Sequence, residues 1–234
     1  MHSLKQNKDT MGHKGGTDIR IVYEDKWLLA IEKPSGMLSV STGKPGDITA
    51  YTLATEYVRG SGRQCRIFVL HRLDRDTSGL LIFAKDIRTK EILQGNWQEM
   101  VTERRYTAIL EGEIESEEGY IETWLRENPK TLKMQCSGSD NGGQFAVSHC
   151  RRIRRTEIEG HPYTYVEFTL ETGRKNQIRA QSEWIGHPIA GDSRYGARTN
   201  PFGRLALHAT ALSFIHPWTG RHITLKSRLP RRLR

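Results

Sequence analysis

A single carboxylate lies between two arginines in Arg72-Leu73-Asp74-Arg75, within the polar run His71 to Ser78 that leads into the apolar stretch Gly79 to Lys85. A guanidinium at contact distance favours the ionised carboxyl, lowers its pKa and offers a two-pronged hydrogen-bonded pair. In such a setting Asp74 acts as a nucleophile or a base rather than as an acid. The commoner use of an Asp among arginines is a structural ion pair, so the loop does not decide its own purpose. Asp74 and Asp76 could also hold magnesium, but Arg72 and Arg75 would compete with a cation, and no metal is expected.

A second cluster, Thr172-Gly173-Arg174-Lys175-Asn176-Gln177-Ile178-Arg179, gathers three cations around a predicted helix start, where the macrodipole disfavours positive charge. A compensating anion is implied, either nucleic-acid phosphate or the Asp74 carboxylate, with a solvated basic face as the plain alternative. Gly186-His187-Pro188-Ile189-Ala190-Gly191-Asp192-Ser193-Arg194-Tyr195-Gly196 is rich in turn formers and reads as a tight connection. The run Arg151-Arg152-Ile153-Arg154-Arg155 can pair with phosphates or simply maintain solubility.

These segments sit in a chain of 234 residues with 36% apolar and 27% charged residues, the balance of a folded protein. Lys+Arg 36 against Asp+Glu 27 gives a net charge of +9, which attracts polyanions without choosing among them. The longest apolar stretches, such as Leu80 to Ala84, are far short of the roughly 20 residues a membrane helix needs. Cys65, Cys136 and Cys150 are odd in number and unpaired in spacing, against a disulfide framework or zinc ribbon and in favour of a reducing compartment. His-Glu-x-x-His, His-x-Glu and Gly-x-Ser-x-Gly are absent, and Gly43-Lys44 runs into Pro45. Metalloprotease, zinc deaminase, nucleophile-elbow hydrolase and P-loop NTPase chemistries therefore lose support.

The elements that must position the clusters are mostly strands. Ile19 to Tyr23 and Trp27 to Ile31 form a hairpin signal around Glu24-Asp25-Lys26. Ile48, Tyr51, Thr55 and Val58 predict a helix over 48–59 capped by Asp47, ended by Gly60-Ser61-Gly62. Ile67 to Leu70 and Gly79 to Lys85 read as buried strands enclosing the Asp74 loop, and Leu93, Trp97 and Met100 as one helical face. Arg105 to Leu110, Tyr120 to Arg126, Val147 to Ile153 and Tyr163 to Leu170 alternate like strands, 127–144 reads as exposed mobile loops, and Arg174 to Ile185 as a helix. Ala211 to Ile215 should pair with Ile223 to Leu225.

Taken together, the loop HRLDRDTSGLL, then RRYTAILEG, TGRKNQIR, HPIAGDSRYG, and LALHA followed by FIHP resemble the RluA-type pseudouridine synthases, from about Ile19 to Leu225. The resemblance implies one α+β catalytic domain with a mixed, largely antiparallel central sheet, placed over 18–228; the polar, glycine-bearing composition of 1–17 predicts a disordered segment before it, and 229–234 a basic tail after it. It also implies that Asp74 is the essential catalytic residue, that Tyr106 stacks on the uracil, that Arg179 pairs with the Asp74 carboxylate, and that Arg72 fills the gap left by the extruded base. His71, Arg72, Arg174, Lys175, Gln177, Arg151 and Arg152 are the expected RNA contacts, with bracing of the loop as the alternative use of His71. Relatives usually carry His where this chain has Asn176, and often His where it has Gln181; both replacements keep hydrogen bonding and lose a titratable group.

The resulting expectation is a cytoplasmic, monomeric enzyme that isomerises uridines in rRNA or tRNA with no cofactor and no obligatory protein partner. Two rivals stand beside it: a non-catalytic RNA-binding or RNA-folding protein with a lapsed site, and a nucleosidase-like hydrolase in which water captures the sugar.

Overall fold

The computed structural model describes residues 10–11, 19–43, 46–60 and 66–234. Most of the expected polar segment 1–17, and Ser61 to Cys65, lie outside the described residues. The chain divides into two compact units, one formed by 1–102 with 211–227 and the other by 103–210 with 228–234.

In the first unit, β1 (Thr10–Met11) pairs with β2 (Ile19–Glu24), and β2 pairs with β3 (Leu28–Lys33), all antiparallel. The β2–β3 turn is set by Asp25, whose carboxylate accepts from the amides of Trp27 and Leu28, both at 2.7 Å. The helix α1 (Ala50–Gly60) buries Ala50, Leu53, Ala54 and Val58, leaving Ile48 exposed. Its cap differs from expectation. Thr49 accepts from the amide of Thr52 at 3.1 Å, while Asp47 accepts from the Ser41 hydroxyl. Threonine two positions later won because the helix starts two residues later than the apolar spacing implied.

The short β4 (Phe68–Val69) and the β5 strand (Ser78–Ala84) follow, with β5 paired antiparallel to both β3 and β4. Every residue of β5 is buried, which explains why its sequence is a continuous apolar run without alternation. The predicted single helical face around Leu93 is two helices, α2 (Ile87–Gly95) and α3 (Trp97–Met100). Asp86 caps α2 by accepting from the Thr89 amide at 2.9 Å, and the chain breaks direction at Asn96.

In the second unit, β6 (Val101–Glu111), β7 (Glu118–Glu127), β8 (Met134–Ser137), β9 (Gln144–Ile158) and β10 (His161–Leu170) join antiparallel in the order β6-β10-β9-β7-β8. Segment 127–144 is thus more ordered than its turn-rich composition implied. Met134 is buried, and its amide donates to the Tyr195 hydroxyl at 3.1 Å. The helix α4 (Gln177–Trp184) begins three residues later than expected, because Asn176 adopts the left-handed conformation with φ 50°. Asn tolerates that region better than most side chains. The buried core of this unit includes Ala108, Leu110, Ile121, Val166, Phe168 and Ile178.

The β11 strand (Leu207–Ile215) then passes covalently from the second unit into the first, where Ala211 to Ile215 pairs with β12 (His222–Lys226) as the sequence predicted. Leu212, Phe214 and Leu225 join Leu28, Leu80 and Ile82 in the core of the first unit. The basic C-terminal tail carries Leu233, which is fully buried in the core of the second unit. Among the described residues, no helix is long and apolar enough to cross a membrane.

Candidate active site

The Asp74 loop is held from below by the turn that follows β3. Lys33, 1% exposed, donates from its ammonium to the carbonyls of Pro34, Met37 and Arg75 at 3.0, 2.7 and 2.9 Å. The Ser39 hydroxyl donates to the Leu73 carbonyl at 2.8 Å and accepts from the Leu73 amide at 3.1 Å. Ser35 donates to the Asp76 carbonyl at 2.7 Å, and Arg75 Nε to the Gly36 carbonyl at 3.2 Å. Within the loop, the Thr77 amide donates to the Asp74 carbonyl at 3.2 Å. Leu73 and Thr77 are buried, Asp74 is half-buried, and Arg72, Arg75 and Asp76 are exposed. One carboxylate is thereby presented from a backbone fixed on both sides, which is the requirement for a preorganised catalytic group.

His71 is engaged with the strand that follows the loop. Its Nε2 accepts from the Ile82 amide at 3.2 Å and its ring lies 5.5 Å from that of Trp97. A ring nitrogen spent on a neighbouring strand braces the loop, the alternative use that the sequence left open for His71.

Tyr106 lies on β6, half-buried against the core of the second unit and opposite Phe168 of β10. Its neighbour Arg104, which sequence reasoning missed, donates to the carbonyls of Leu170 at 3.2 Å and Glu171 at 2.7 Å. Burial, assisted by nearby Arg174, pushes the Arg104 guanidinium below its ordinary pKa. A Cβ at Gly173 would sit 2.6 Å from Arg104 Nη1, so the glycine of the TGRKN segment leaves space for this anchor.

Arg179 on α4 is gripped by Asp192, Nε donating to Oδ2 at 2.7 Å and Nη2 to Oδ1 at 2.8 Å. Asp192 and Tyr195 were not singled out from the sequence, although the HPIAGDSRYG segment that contains them was.

The expected RNA contacts divide. Arg174 and Lys175 are exposed; Arg174 Nε donates to the Phe145 carbonyl at 3.0 Å, and Lys175 pairs with Glu127 at 2.9 Å. Gln177 is 3% exposed, and its amide is committed internally: Oε1 accepts from the Thr172 hydroxyl and the Arg174 amide, while Nε2 donates to the Val147 carbonyl and the Ser148 hydroxyl. That network fixes the entry to α4, and the RNA-binding assignment of Gln177 is corrected on this ground.

Gln181 is likewise buried, donating to the carbonyls of Ile121 and Ala146 and to Thr123, and accepting from Ser148. Asn176 accepts from the Tyr195 hydroxyl at 3.3 Å. Both departures from the family histidines are therefore used structurally.

Arg151 and Arg152 stand on β9, within the strand expected over Val147 to Ile153. Arg151 pairs with Glu167 at 2.8 Å, and Arg152 donates to the carbonyls of Ile114 and Glu115. Arg155 pairs with Glu115 at 2.8 Å, and the Arg154 guanidinium lies 3.7 Å from the Tyr165 ring centroid. The five-residue basic run is substantially neutralised by partners inside its own unit.

A family profile described as RNA pseudouridylate synthase matches residues 27–184, a span that contains Asp74, Tyr106 and Arg179. The chain belongs to the RNA pseudouridylate synthase family. This pseudouridine synthase homologue is 36% identical over 220 residues to an uncharacterized RNA pseudouridine synthase of Bacillus subtilis, YlyB, covering 91% of this chain and 70% of that one. It is 32% identical over 225 residues to ribosomal large subunit pseudouridine synthase D of Zymomonas mobilis, covering 91% and 69%. It is 31% identical over 225 residues to tRNA pseudouridine synthase C of Vibrio parahaemolyticus, covering 90% of each chain. Among solved structures, human RNA pseudouridylate synthase domain containing 1 superposes with a TM-score of 0.75 at 23% identity, over 91% of this chain and 84% of that one. That likeness establishes the shared fold, a pseudouridine-synthase-like α+β domain, and the two compact units are parts of it.

Proposed function

We propose that this chain is an RNA pseudouridine synthase that isomerises uridine in rRNA or tRNA, with Asp74 as its essential residue. The observation that carries the reading is the loop Leu73 to Thr77, pinned by Lys33, Ser35 and Ser39 so that Asp74 is displayed from a rigid backbone. Membership of the family supports the reaction type, and the names of the ribosomal and tRNA relatives support RNA as the substrate class.

The reaction breaks the bond between uracil N1 and ribose C1′ and forms one between C5 and C1′. The C5 proton leaves to solvent and N1 gains one, so the product is an isomer with no redox change and no group donor. Asp74 serves the sugar, either by attacking C1′ or by removing the neighbouring ribose proton, and stabilises the positive charge that develops there. Arg179 is assigned to the same chemistry as a fixed cation whose guanidinium is held by Asp192. Tyr106 stacks on the uracil while it turns, and its phenol is assigned to assist loss of the C5 proton.

The target nucleotide must leave its stack, at a cost of roughly a few kcal/mol that cationic contacts to flanking phosphates offset. Arg72, Arg174 and Lys175 are the exposed cations we assign to that task. Arg72 occupies the space vacated by the base. Arg151 and Arg152 join only by exchanging their present partners for phosphate. The enzyme works in the cytoplasm as a monomer and without a metal.

Mapping pseudouridines across cellular rRNA and tRNA, with and without this protein, tests the assignment. Loss of one or more defined sites on deletion, restored by the wild-type chain and not by Asp74→Asn, is the expected result. Restoration by Asp74→Asn would favour a non-catalytic RNA-binding role, and accumulation of free uracil would favour a nucleosidase.

A further inference from the structure

Arg179 is one of the residues the synthase reading assigns to the chemistry, and the structure assigns its positioning to Asp192 and Tyr195. We infer that this pair sets where Arg179 points and thereby the rate of the isomerisation, an inference that rests on the synthase reading above. Three observations converge on it.

The first is the bidentate grip between Arg179 and Asp192, whose side chains are only 11% and 2% exposed. An Arg–carboxylate fork fixes the plane of the guanidinium as well as its distance. The grip uses the Nε and Nη2 edge, so the Nη1 arm takes no part in it.

The second is what Asp192 forgoes. It stands at the N-cap of the 3-10 turn Ser193–Tyr195, where an Asp ordinarily accepts from a backbone amide, yet it makes no side-chain capping bond. Both carboxylate oxygens are turned to Arg179 instead.

The third is Tyr195, fully buried, with the Arg179 guanidinium 4.7 Å and the Lys133 ammonium 4.9 Å from its ring centroid. Its hydroxyl accepts from the Met134 amide at 3.1 Å and donates to Asn176 Oδ1 at 3.3 Å. The ring is thereby tied to β8 on one side and to the residue that starts α4 on the other. Gly191, with φ +80°, completes the device, because a Cβ there would meet the Arg204 carbonyl oxygen at 2.3 Å. The segment Gly191-Asp192-Ser193-Arg194-Tyr195 is a clamp for one guanidinium.

The test is a double-mutant cycle between positions 192 and 179, read as single-turnover isomerisation rates together with RNA affinity and thermal unfolding. Asp192→Asn should lower the rate by about 10- to 100-fold, the worth of a hydrogen-bonded charge pair, with RNA affinity within about threefold. Asp192→Glu, which keeps the charge but displaces the fork by one methylene, should fall between Asn and wild type and serves should the Asn variant not fold. Tyr195→Phe retains the cation–ring contact and should lose no more than about fivefold.

In an Arg179→Ala background, neither substitution at 192 should lower the rate further. Equal losses in both backgrounds, or wild-type rates in Asp192→Asn, would overturn the inference while leaving Asp74 chemistry standing. A wild-type enzyme that forms no pseudouridine would instead overturn the reading beneath it.

Discussion

The buried ammonium of Lys33 donates to the carbonyl of Arg75 at 2.9 Å, one residue beyond the proposed catalytic carboxylate. The same ammonium binds the carbonyls of Pro34 and Met37, so it ties the turn after β3 to the loop before β5. Lys33→Met keeps the aliphatic bulk and removes all three bonds. It should cost about 2–4 kcal/mol of stability, because buried carbonyls lose a charged donor. The isomerisation rate should fall with RNA affinity within about threefold. Chemical denaturation paired with single-turnover rates checks this, and an unchanged rate would show that Asp74 does not depend on this anchor.

Gln181 makes four hydrogen bonds in the core of the second unit, where the resemblance places a histidine in many relatives. If its role is structural, Gln181→Leu should destabilise by about 2–4 kcal/mol and leave the rate of the remaining folded enzyme near wild type. A large rate loss without loss of stability would place the side chain in the chemistry instead.

The buried His208 gives the fold a defined acid sensitivity. Burial, reinforced by Arg204, pushes its pKa down from 6.5 to about 4. The folded state therefore refuses a proton that the unfolded chain accepts. Stability from this group is complete above about pH 6.5 and declines as pH falls towards about 4, where the loss levels off. The difference amounts to about 3 kcal/mol at most. His208→Gln should flatten the stability profile across that interval in urea titrations at stepped pH, whereas an unchanged slope would assign the sensitivity to other groups.

Legibility of the sequence followed the physics of each segment. The Asp74 loop was readable because two apolar strands bracket a polar run, and the hairpin of β11 and β12 because its turn residues are strong. The start of α4 was misplaced because Arg174 and Lys175 satisfy helical composition, while the left-handed backbone at Asn176 leaves no periodic trace. Segment 127–144 looked like pure loop because β8 is four residues long and owes its order to Met134 and Tyr195, which are distant in sequence. Gln177 looked like a surface contact for a similar reason. Its burial is created by Val147, Ser148 and Thr172, and charge-rich neighbours mask that environment in the sequence. Lys33 was invisible as a site residue, since nothing local distinguishes a lysine that caps three carbonyls from one that faces solvent.

The most direct test of the central claim uses RNA tritiated at uridine C5, incubated with excess enzyme in the presence of EDTA. Tritium should be released by wild type in step with pseudouridine formation, and not by Asp74→Asn despite retained RNA binding. Equal release by both proteins, or wild-type RNA binding without any release, would contradict it.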